Sequence, residues 1–384
     1  MIAGVILLLQ FALGLNLFSL SPMLPLVIDD FGISRTTAGL LVAGPVLMQA
    51  FFGLPGSLLH RRFGLRRTVL VGAVLVGSLA ISFAVTSFTV ILILRLVSGA
   101  GAGLLITGTG PLIMQWFHGR ELPVMNTLFL TALSGGISVG VLTGSPLAGA
   151  VEWRVAVSIF GATSLLGALA WLVLGRTGES AAEGLSGFQL ADLRVVLGDR
   201  TVASLVTADA LVFIQYAVLT SWLPTFFNES RGMSLDQAGF ITGLLPAVGI
   251  VAVLVGGVLS YRFPRWRLML MISGVLVGVS GLASYLLTDT FAISVAVIVL
   301  GVGTWIYQPV FHTIPMQLSW MTPDKVALVW GSSMTIAGIG MFVAPIVVGA
   351  SRDLFGSFVP GFLIWSILAW ALVWVGFTLS DQPS

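Results

Sequence analysis

Long apolar segments follow one another along almost the whole chain and are separated by short polar connections. Charged residues make up only 8% of the sequence and the mean hydropathy is +1.07, whereas soluble domains carry roughly 25% charged residues. A helix that crosses the hydrocarbon core of a bilayer needs about 20 apolar residues. The 384 residues therefore have room for about twelve such helices, and we predict an all-α membrane protein. The predicted spans are residues 3–28, 35–59, 68–86, 88–116, 122–150, 154–174, 201–227, 235–259, 268–287, 290–318, 325–350 and 358–379.

The chain also repeats itself. Residues 31–67 are echoed at an offset of 200 by residues 231–267, so that Gly39 recurs as Gly239. Two sequence-related halves are the usual construction of a secondary transporter, whose substrate site lies at the interface between the halves. The predicted domains are an N-terminal six-helix bundle at 1–175, a cytoplasmic linker at 176–199 and a C-terminal six-helix bundle at 200–384.

The arginines and the single lysine predict the orientation, because cytoplasmic loops collect positive charge. With both termini in the cytoplasm, twelve of the seventeen basic residues lie on the cytoplasmic side. Four lie outside, namely Arg35, Arg154, Arg231 and Arg352, and Arg95 stays within a span. We therefore predict an integral protein of the cell (inner) membrane. The charge is divided among short loops, so a nucleic-acid partner is not implied.

Several chemistries lack their residues in this sequence. Cysteine is absent, which excludes disulfides, thiolate metal sites and cysteine nucleophiles. The run from Gly136 to Gly140 fits the G-x-S-x-G pattern of hydrolases, but it lies inside the predicted fifth span instead of between a strand and a helix. We expect no enzymatic activity, no metal and no cofactor.

Several motifs carry a resemblance to a known family. They are the loop after the second span, from Ser57 to Arg67, its degenerate copy from Tyr261 to Arg267, the run Arg95 to Gly103, the run Gly140 to Gly149, and its partner from Gly340 to Gly349. In these residues the chain resembles the major facilitator superfamily, over nearly its whole length. Shorter motifs, among them Ala38 to Pro45 and Trp222 to Thr225, are most like the cyanate permease and nitroimidazole transporter branch. The resemblance implies two pseudo-symmetric six-helix bundles that rock about a central site, and we expect a monomer.

One departure concerns the loop between the second and third spans. The family signature carries an acid just before its Arg-x-Gly core, where this chain has Arg61, or His60 if a gap is allowed. The basic cluster could contact helix C-termini, whose partial charge favours cations, and so bias the conformation; alternatively it only enforces the charge rule. The candidate gating residues are Arg61, Arg62, Gly64, Arg66, Gly144, Pro146 and Pro345.

Two ionisable residues lie well inside spans, and such residues are functional candidates by default because they are costly in lipid. Arg95 lies about 10 Å deep in the fourth helix, at 1.5 Å per residue, and could bind an anionic substrate. Its alternative role is to bond backbone carbonyls of a neighbouring helix. Asp209 shares a helix face with Phe213 and Tyr216 and could carry a coupling proton, or it could instead be tied to a neighbouring helix.

Neutral polar residues in the spans complete the candidate substrate site. Aligning Pro25 with Pro224 pairs Gln10 with Asp209 and Asn16 with Gln215. The full set of substrate-binding candidates is Asn16, Gln49, Arg95, Gln215, Tyr216, Trp222, Tyr307, Gln308 and His312. Lesser candidates are Asn126 and Thr131. Each of these side chains could instead serve in hydrogen bonds between helices, of about 0.6 kcal/mol each.

These observations predict a transporter of a small solute, either a small anion or a small polar organic compound, that works by alternating access. Proton coupling, exchange and uniport all remain open. A proton-coupled multidrug exporter is the alternative, for which an apolar, tryptophan-rich cavity and the glycine-proline motif of the fifth helix would be the support. A non-transporting membrane sensor is a remote alternative.

Overall fold

The computed structural model describes residues 1–117, 121–176, 190–263, 265–315, 318, 320–321 and 323–378, and within these the regular structure is helical. The helices form twelve membrane spans in two pseudo-symmetric six-helix bundles, as the sequence predicts. Spans 1 to 6 comprise Ile2–Phe31, then Arg35–Phe51 with Gly53–Phe63, Leu65–Val76 with the 3-10 turns Gly77–Ala84, Phe88–Trp116, Glu121–Val151 and Trp153–Leu174. Spans 7 to 12 comprise Arg200–Arg231, Leu235–Arg262, Trp266–Leu286, Thr290–Ile306 with Gln308–Thr313, Pro323–Phe355, and Val359–Leu368 with Ala371–Thr378.

Interruptions distinguish the structure from the predicted spans. Among the described residues, eleven helices are long and apolar enough to cross a membrane, and span 2, which is interrupted at Phe52, is not among these eleven. Span 1 also breaks, after Leu17, and resumes through the 3-10 turn Ser21–Met23. The predicted linker contains a short helix, Leu190–Gly198. His60, expected in a loop, lies in the second helix of span 2, and His118 falls outside the described residues.

The echoed sequence has a direct structural meaning in the turns between spans 1 and 2 and between spans 7 and 8. Gly32 and Gly232 end the preceding helices in the left-handed conformation, with φ of 60° and 67°, where glycine has no Cβ to clash. Two residues later, Ser34 and Ser234 accept hydrogen bonds from the amides of Thr37 and Gln237 and so cap the next helices. The repeat therefore encodes one turn, used twice.

Glycines allow spans 2, 3 and 4 to approach closely. A Cβ on Gly99 would lie 2.3 Å from the carbonyl oxygen of Pro45, and a Cβ on Gly101 would lie 2.5 Å from that of Gly72. Small residues have this role in membranes because no hydrophobic effect drives helices together there. The glycine run of span 4 is a packing surface.

We expect Gly99→Ala to lower the thermal-unfolding temperature of the purified protein in detergent, because the added methyl group must push the backbone at Pro45 away, at a cost of about 1–3 kcal/mol. Gly149→Ala is the matched control, since its methyl group would meet nothing within 4 Å. Equal unfolding temperatures for the two variants would contradict the close approach.

Candidate functional site

Arg95 is buried within the N-terminal half, and each of its three guanidinium nitrogens donates a hydrogen bond. It donates hydrogen bonds to the carbonyl oxygens of Leu41, Asn16 and Leu17, at 2.8, 2.7 and 2.9 Å. These carbonyls belong to span 2 and to the end of the first helix of span 1, so the side chain ties both spans to span 4. This is the structural alternative raised by the sequence, and it leaves Arg95 turned towards backbone in this conformation.

Asn16 and Gln215 also bond within their own halves, although the sequence predicts that they face the central cavity. Asn16 donates to the carbonyl of Phe160 and to the hydroxyl of Ser164, both on span 6. Gln215 donates to the hydroxyl of Ser366 on span 12, at 3.1 Å. The two amides therefore join spans 1 to 6 and 7 to 12, which places them in corresponding positions of the two bundles.

Asp209 lies in a cage of hydrogen-bond donors from two other spans. Its Oδ1 accepts from the hydroxyl of Tyr307 and the amide of Gln308, at 2.9 and 2.8 Å, and its Oδ2 accepts from the hydroxyl of Ser333 at 2.5 Å. Asp209 is only 3% exposed. The structure thus unites three predicted residues in one cluster and adds Ser333 of span 11. Only its offset of 199 from Ser134, the same offset that relates Asp209 to Gln10, could have indicated Ser333.

A neutral counterpart of this cluster exists in the N-terminal half. Gln10 donates to the hydroxyl of Thr109 at 2.8 Å, and these residues correspond, at the offset of 199, to Asp209 and Gln308. In each half, this hydrogen bond connects the first span to the fourth. In the N-terminal half both partners are neutral, whereas in the C-terminal half one partner is a carboxylate.

The remaining substrate-site candidates fall in different surroundings. Trp222 is buried and donates its indole N–H to the carbonyl of Pro345 at 2.8 Å, which joins spans 7 and 11. His312 is exposed on the last helix of span 10. Gln49 is half-buried on span 2, and no hydrogen-bond partner for its Oε1 is found among the described residues. The side chain of Asn126 lies outside the described residues.

Tyr216 lies where the halves meet. Its ring makes an edge contact with Phe18 of span 1, with the centroids 6.5 Å apart, and two more with Phe213 and Trp305. Beside Trp305 is a small cavity lined by Thr131 and other residues of span 5 and by residues of span 8. An interface between two repeats at this depth is where transporters of this construction bind their substrates.

A network of charges and hydrogen bonds, which we call the latch, joins the halves at the end that carries the loops 1–2 and 7–8. Glu229 of span 7 bonds Arg35 of span 2 at 3.2 Å and Arg352 of span 11 at 3.3 Å. Asp353 accepts hydrogen bonds from the amides of Arg35 and Thr36 and from the hydroxyl of Thr36. A carboxylate at a helix N-terminus is favoured by the helix dipole.

A further contact strengthens this closed end. Ser145 of span 5 donates to Oδ1 of Asp236 in the first turn of span 8, at 2.7 Å. The sequence does not predict the latch, because the charges of the loops indicate orientation and not which residues pair. Among the described residues, no group of three or more His, Asp or Glu side chains could hold a metal ion.

The model of the Major Facilitator Superfamily matches residues 6–345. The chain belongs to this superfamily. A crystal structure of a bacterial homolog of the human lysosomal transporter Spinster, in an inward-facing and occupied conformation, superposes with a TM-score of 0.77 at 17% identity, over 100% of this chain and 98% of that one. It shares the superfamily fold.

Relatives in sequence are named as transporters, which agrees with the predicted lack of enzymatic activity. The hexuronate transporter of Bacillus subtilis is 25% identical over 90% of this chain and 86% of its own length. The probable sulfoacetate transporter SauU of Cupriavidus necator is 25% identical over 95% and 90%. The cyanate transport protein CynX of Escherichia coli is 28% identical over 70% of each chain. The predicted superfamily membership is confirmed.

The superfamily signature between spans 2 and 3 packs against its own half. Gly64 turns the chain with a φ of 85°, and Arg66 donates to the carbonyl of Leu172 in the last turn of span 6, at 3.2 Å. The guanidinium carbon of Arg62 lies 5.4 Å from the ring centroid of Phe63, and the side chain of Arg61 lies outside the described residues. Arg66 of this basic cluster therefore contacts a helix C-terminus, as the sequence suggests. The gating role of the cluster stays a prediction.

His60, which takes the position of the signature's acid only if a gap is allowed, ties this region to span 4. Its ring nitrogens pair with the hydroxyl of Thr68 and, at 3.1 Å each, with the carbonyl of Leu104 and the hydroxyl of Thr107. The loop is therefore anchored by a histidine to the N-terminal half.

The other predicted gating residues lie in spans 5 and 11. A Cβ on Gly144 would lie 2.8 Å from Pro22, so this glycine admits the 3-10 turn of span 1. Pro146 lies exposed within span 5, and Pro345 lies within span 11, where its carbonyl receives Trp222. Movement at these positions stays a prediction.

We expect Arg95→Lys to lower the thermal-unfolding temperature and to leave the half-saturation concentration of the transported solute unchanged. Lysine keeps the charge but lacks the planar fork that reaches several carbonyls together, and each lost hydrogen bond to a charged group is worth about 1.5–3 kcal/mol. Arg262→Lys, at an exposed position, is the control. A raised half-saturation concentration at unchanged stability would instead assign Arg95 to substrate.

We expect Glu229→Gln to open the latched end, because it leaves Arg35 and Arg352 without the shared carboxylate. About 1 kcal/mol of lost pairing corresponds to roughly a fivefold shift in a conformational equilibrium. The readout is the rate at which a membrane-impermeant maleimide labels Val141→Cys, a buried position on span 5, in a chain that has no other cysteine.

Glu152→Gln is the matched control, since Glu152 pairs with Arg154 inside the N-terminal half. If Glu229→Gln and Glu152→Gln label at the same rate as the parent, the latch does not hold the halves together.

Proposed function

We propose that this protein moves a small organic anion, or a small polar organic compound, across the cell (inner) membrane by alternating access, with both termini in the cytoplasm. The observation that carries the proposal is the latch: contacts between the halves from Glu229 and Asp353 secure one end of the interface, and Tyr216 and Phe18 meet further along the same interface. Release of one end and closure of the other would expose the same site to the two sides in turn.

The relatives support the substrate class. The names hexuronate, sulfoacetate and cyanate transporter describe small anions. With the termini in the cytoplasm, the latched end is the outer end. The protein would work as a monomer, because the two halves of one chain form the complete interface.

We propose that Asp209 carries the coupling proton. A buried charge in a membrane is costly unless it is paired, and the partners of Asp209 among the described residues are neutral donors from spans 10 and 11. Protonation would remove the charge for which Tyr307, Gln308 and Ser333 are arranged. The packing of three spans thus depends on the protonation state of one carboxyl group.

The test is uptake of labelled hexuronate, cyanate and sulfoacetate into proteoliposomes, with and without an inward proton gradient. We expect saturable flux of at least one of these solutes. We expect Asp209→Asn to keep exchange of solute for solute and to lose accumulation driven by the gradient, because asparagine cannot exchange a proton.

Asp289→Asn is the matched control. Asp289 caps span 10 through the amide of Ala292, and asparagine caps a helix about as well as aspartate. Absence of flux for every solute overturns the proposed function. Unimpaired accumulation by Asp209→Asn overturns its role in coupling.

A further inference from the structure

The segment between the two halves ends in a helix that packs against the C-terminal half. In this linker helix, Leu190–Gly198, the side chain of Val196 is fully buried. It forms one hydrophobic cluster with Val202 and Val206 of span 7 and Val329 of span 11, and we call these four residues the valine plug. All four are at most 1% exposed. The side chains packed against the plug come from the connection between spans 10 and 11 and are Leu318, Trp320 and Met321.

The valine plug lies directly beside Asp209. Val202, Val206 and Asp209 are spaced by four and three residues, so they share one face of span 7. Val329 lies four residues before Ser333 on span 11, and Ser333 donates a hydrogen bond to Asp209. At 1.5 Å per residue, Val206 is about 4.5 Å from Asp209 along the helix axis. The plug therefore lies between Asp209 and the end of the bundle that carries the linker, opposite the latch.

The N-terminal half has no such burial at the corresponding positions. At the offset of 199, the three span residues of the plug correspond to Ala3, Leu7 and Leu130. Ala3 and Leu7 are half-buried, and Leu130 is 39% exposed. The hydrogen bond that these positions flank involves the neutral Gln10, whereas the plug flanks the carboxylate of Asp209. The additional apolar cover is thus present in the half that contains the carboxylate.

Charged groups lie around the plug and not within it. Asp199 accepts a hydrogen bond from the amide of Val202 and caps span 7, and the ammonium group of Lys325 lies 5.3 Å from the ring centroid of Trp320. The described charged and titratable side chains at this end of the linker helix and of spans 7, 10 and 11 are exposed or half-buried, namely Arg194, Asp199, Arg200, His312 and Lys325. Water that approaches Asp209 from this end therefore meets apolar side chains, which offer it no hydrogen bond.

A carboxyl group that couples proton and solute movement must not exchange its proton by a separate route. If Asp209 were open to water at the linker end, protons could cross without solute each time the moving halves opened it to the other side. A closed site prevents this kind of proton leakage.

Resting on the proposed coupling role of Asp209, we propose that the linker helix is a proton seal, in which Val196 completes an apolar plug that separates Asp209 from water at the linker end of the bundle.

The first test measures proton leak into proteoliposomes without solute, with potassium and valinomycin to balance charge and a pH-sensitive dye inside. Val196→Thr keeps the shape of valine and adds a hydroxyl group, which lowers the cost of admitting water. We expect an imposed pH gradient to collapse about tenfold faster than with the parent, the equivalent of about 1.4 kcal/mol. Adding Asp209→Asn to Val196→Thr should abolish the leak, because asparagine cannot exchange a proton.

Val195→Thr is the matched control, because Val195 is the next residue of the same helix and is 54% exposed. We expect it to leave the leak at the level of the parent. Val206→Thr adds the hydroxyl group to the plug from span 7 and leaves the linker helix unchanged, so it should leak even if Val196→Thr unfolds that helix.

The second test does not depend on transport. Val206→Cys places a thiol in the plug of a chain that has no other cysteine, and a thiol reacts as the thiolate, which apolar surroundings disfavour. We expect a water-soluble methanethiosulfonate to label Val206→Cys about tenfold faster when Val196→Thr is added, and at an unchanged rate when Val195→Thr is added.

Equal leak in Val196→Thr and the parent, a leak that survives Asp209→Asn, or an unchanged labelling rate overturns the proton seal. Each of these results leaves solute flux, which tests the proposed function, as it is. Absence of flux for every solute overturns the proposed function, and the labelling of Val206→Cys then still decides whether the linker helix keeps water out.

Discussion

The absence of water from the hydrocarbon core governs this structure, because each polar group buried there needs a partner from the protein. Arg95 meets the requirement with backbone carbonyls and Asp209 meets it with three side-chain donors. The difference has consequences. Backbone carbonyls can only accept hydrogen bonds, so the contacts of Arg95 are fixed. The partners of Asp209 are hydroxyls and a side-chain amide, which can act either as donors or as acceptors.

Much of the fold follows from the sequence because the signals are local. The turns at Gly32 and Gly232 and the caps at Ser34 and Ser234 appear directly in the echoed segments. The breaks within spans were harder to predict, because prolines occur both next to breaks and inside continuous helices. Pro55 and Pro309 lie just after the breaks at Phe52 and Tyr307, while Pro146 and Pro345 lie within continuous helices. A proline disrupts the bond to the residue four positions earlier, and the neighbouring spans decide whether the helix breaks or bends.

The site was predictable only in part, because helical periodicity in the sequence shows which residues share one face of a span. It does not show which other span packs against that face. Asp209, Tyr307 and Gln308 were each selected from the sequence, but their union with Ser333 depends on how spans 7, 10 and 11 pack. Asn16 and Gln215 share faces with cavity candidates, yet their amides reach spans 6 and 12. Which spans contact one another depends on the tertiary structure, and the periodicity of the sequence does not predict it.

The break in span 10 gives the duplicated scaffold a mechanical asymmetry. Its counterpart, span 4, is one uninterrupted helix of 29 residues. Span 10 consists of two helices, Thr290–Ile306 and Gln308–Thr313, which are joined at Tyr307. Tyr307 and the residue after it, Gln308, both donate hydrogen bonds to Asp209. The fourth span of the C-terminal half therefore has a joint that the fourth span of the N-terminal half lacks. Because Asp209 bonds both the residue at this joint and the residue after it, the stiffness of span 10 at the joint depends on that one carboxyl group.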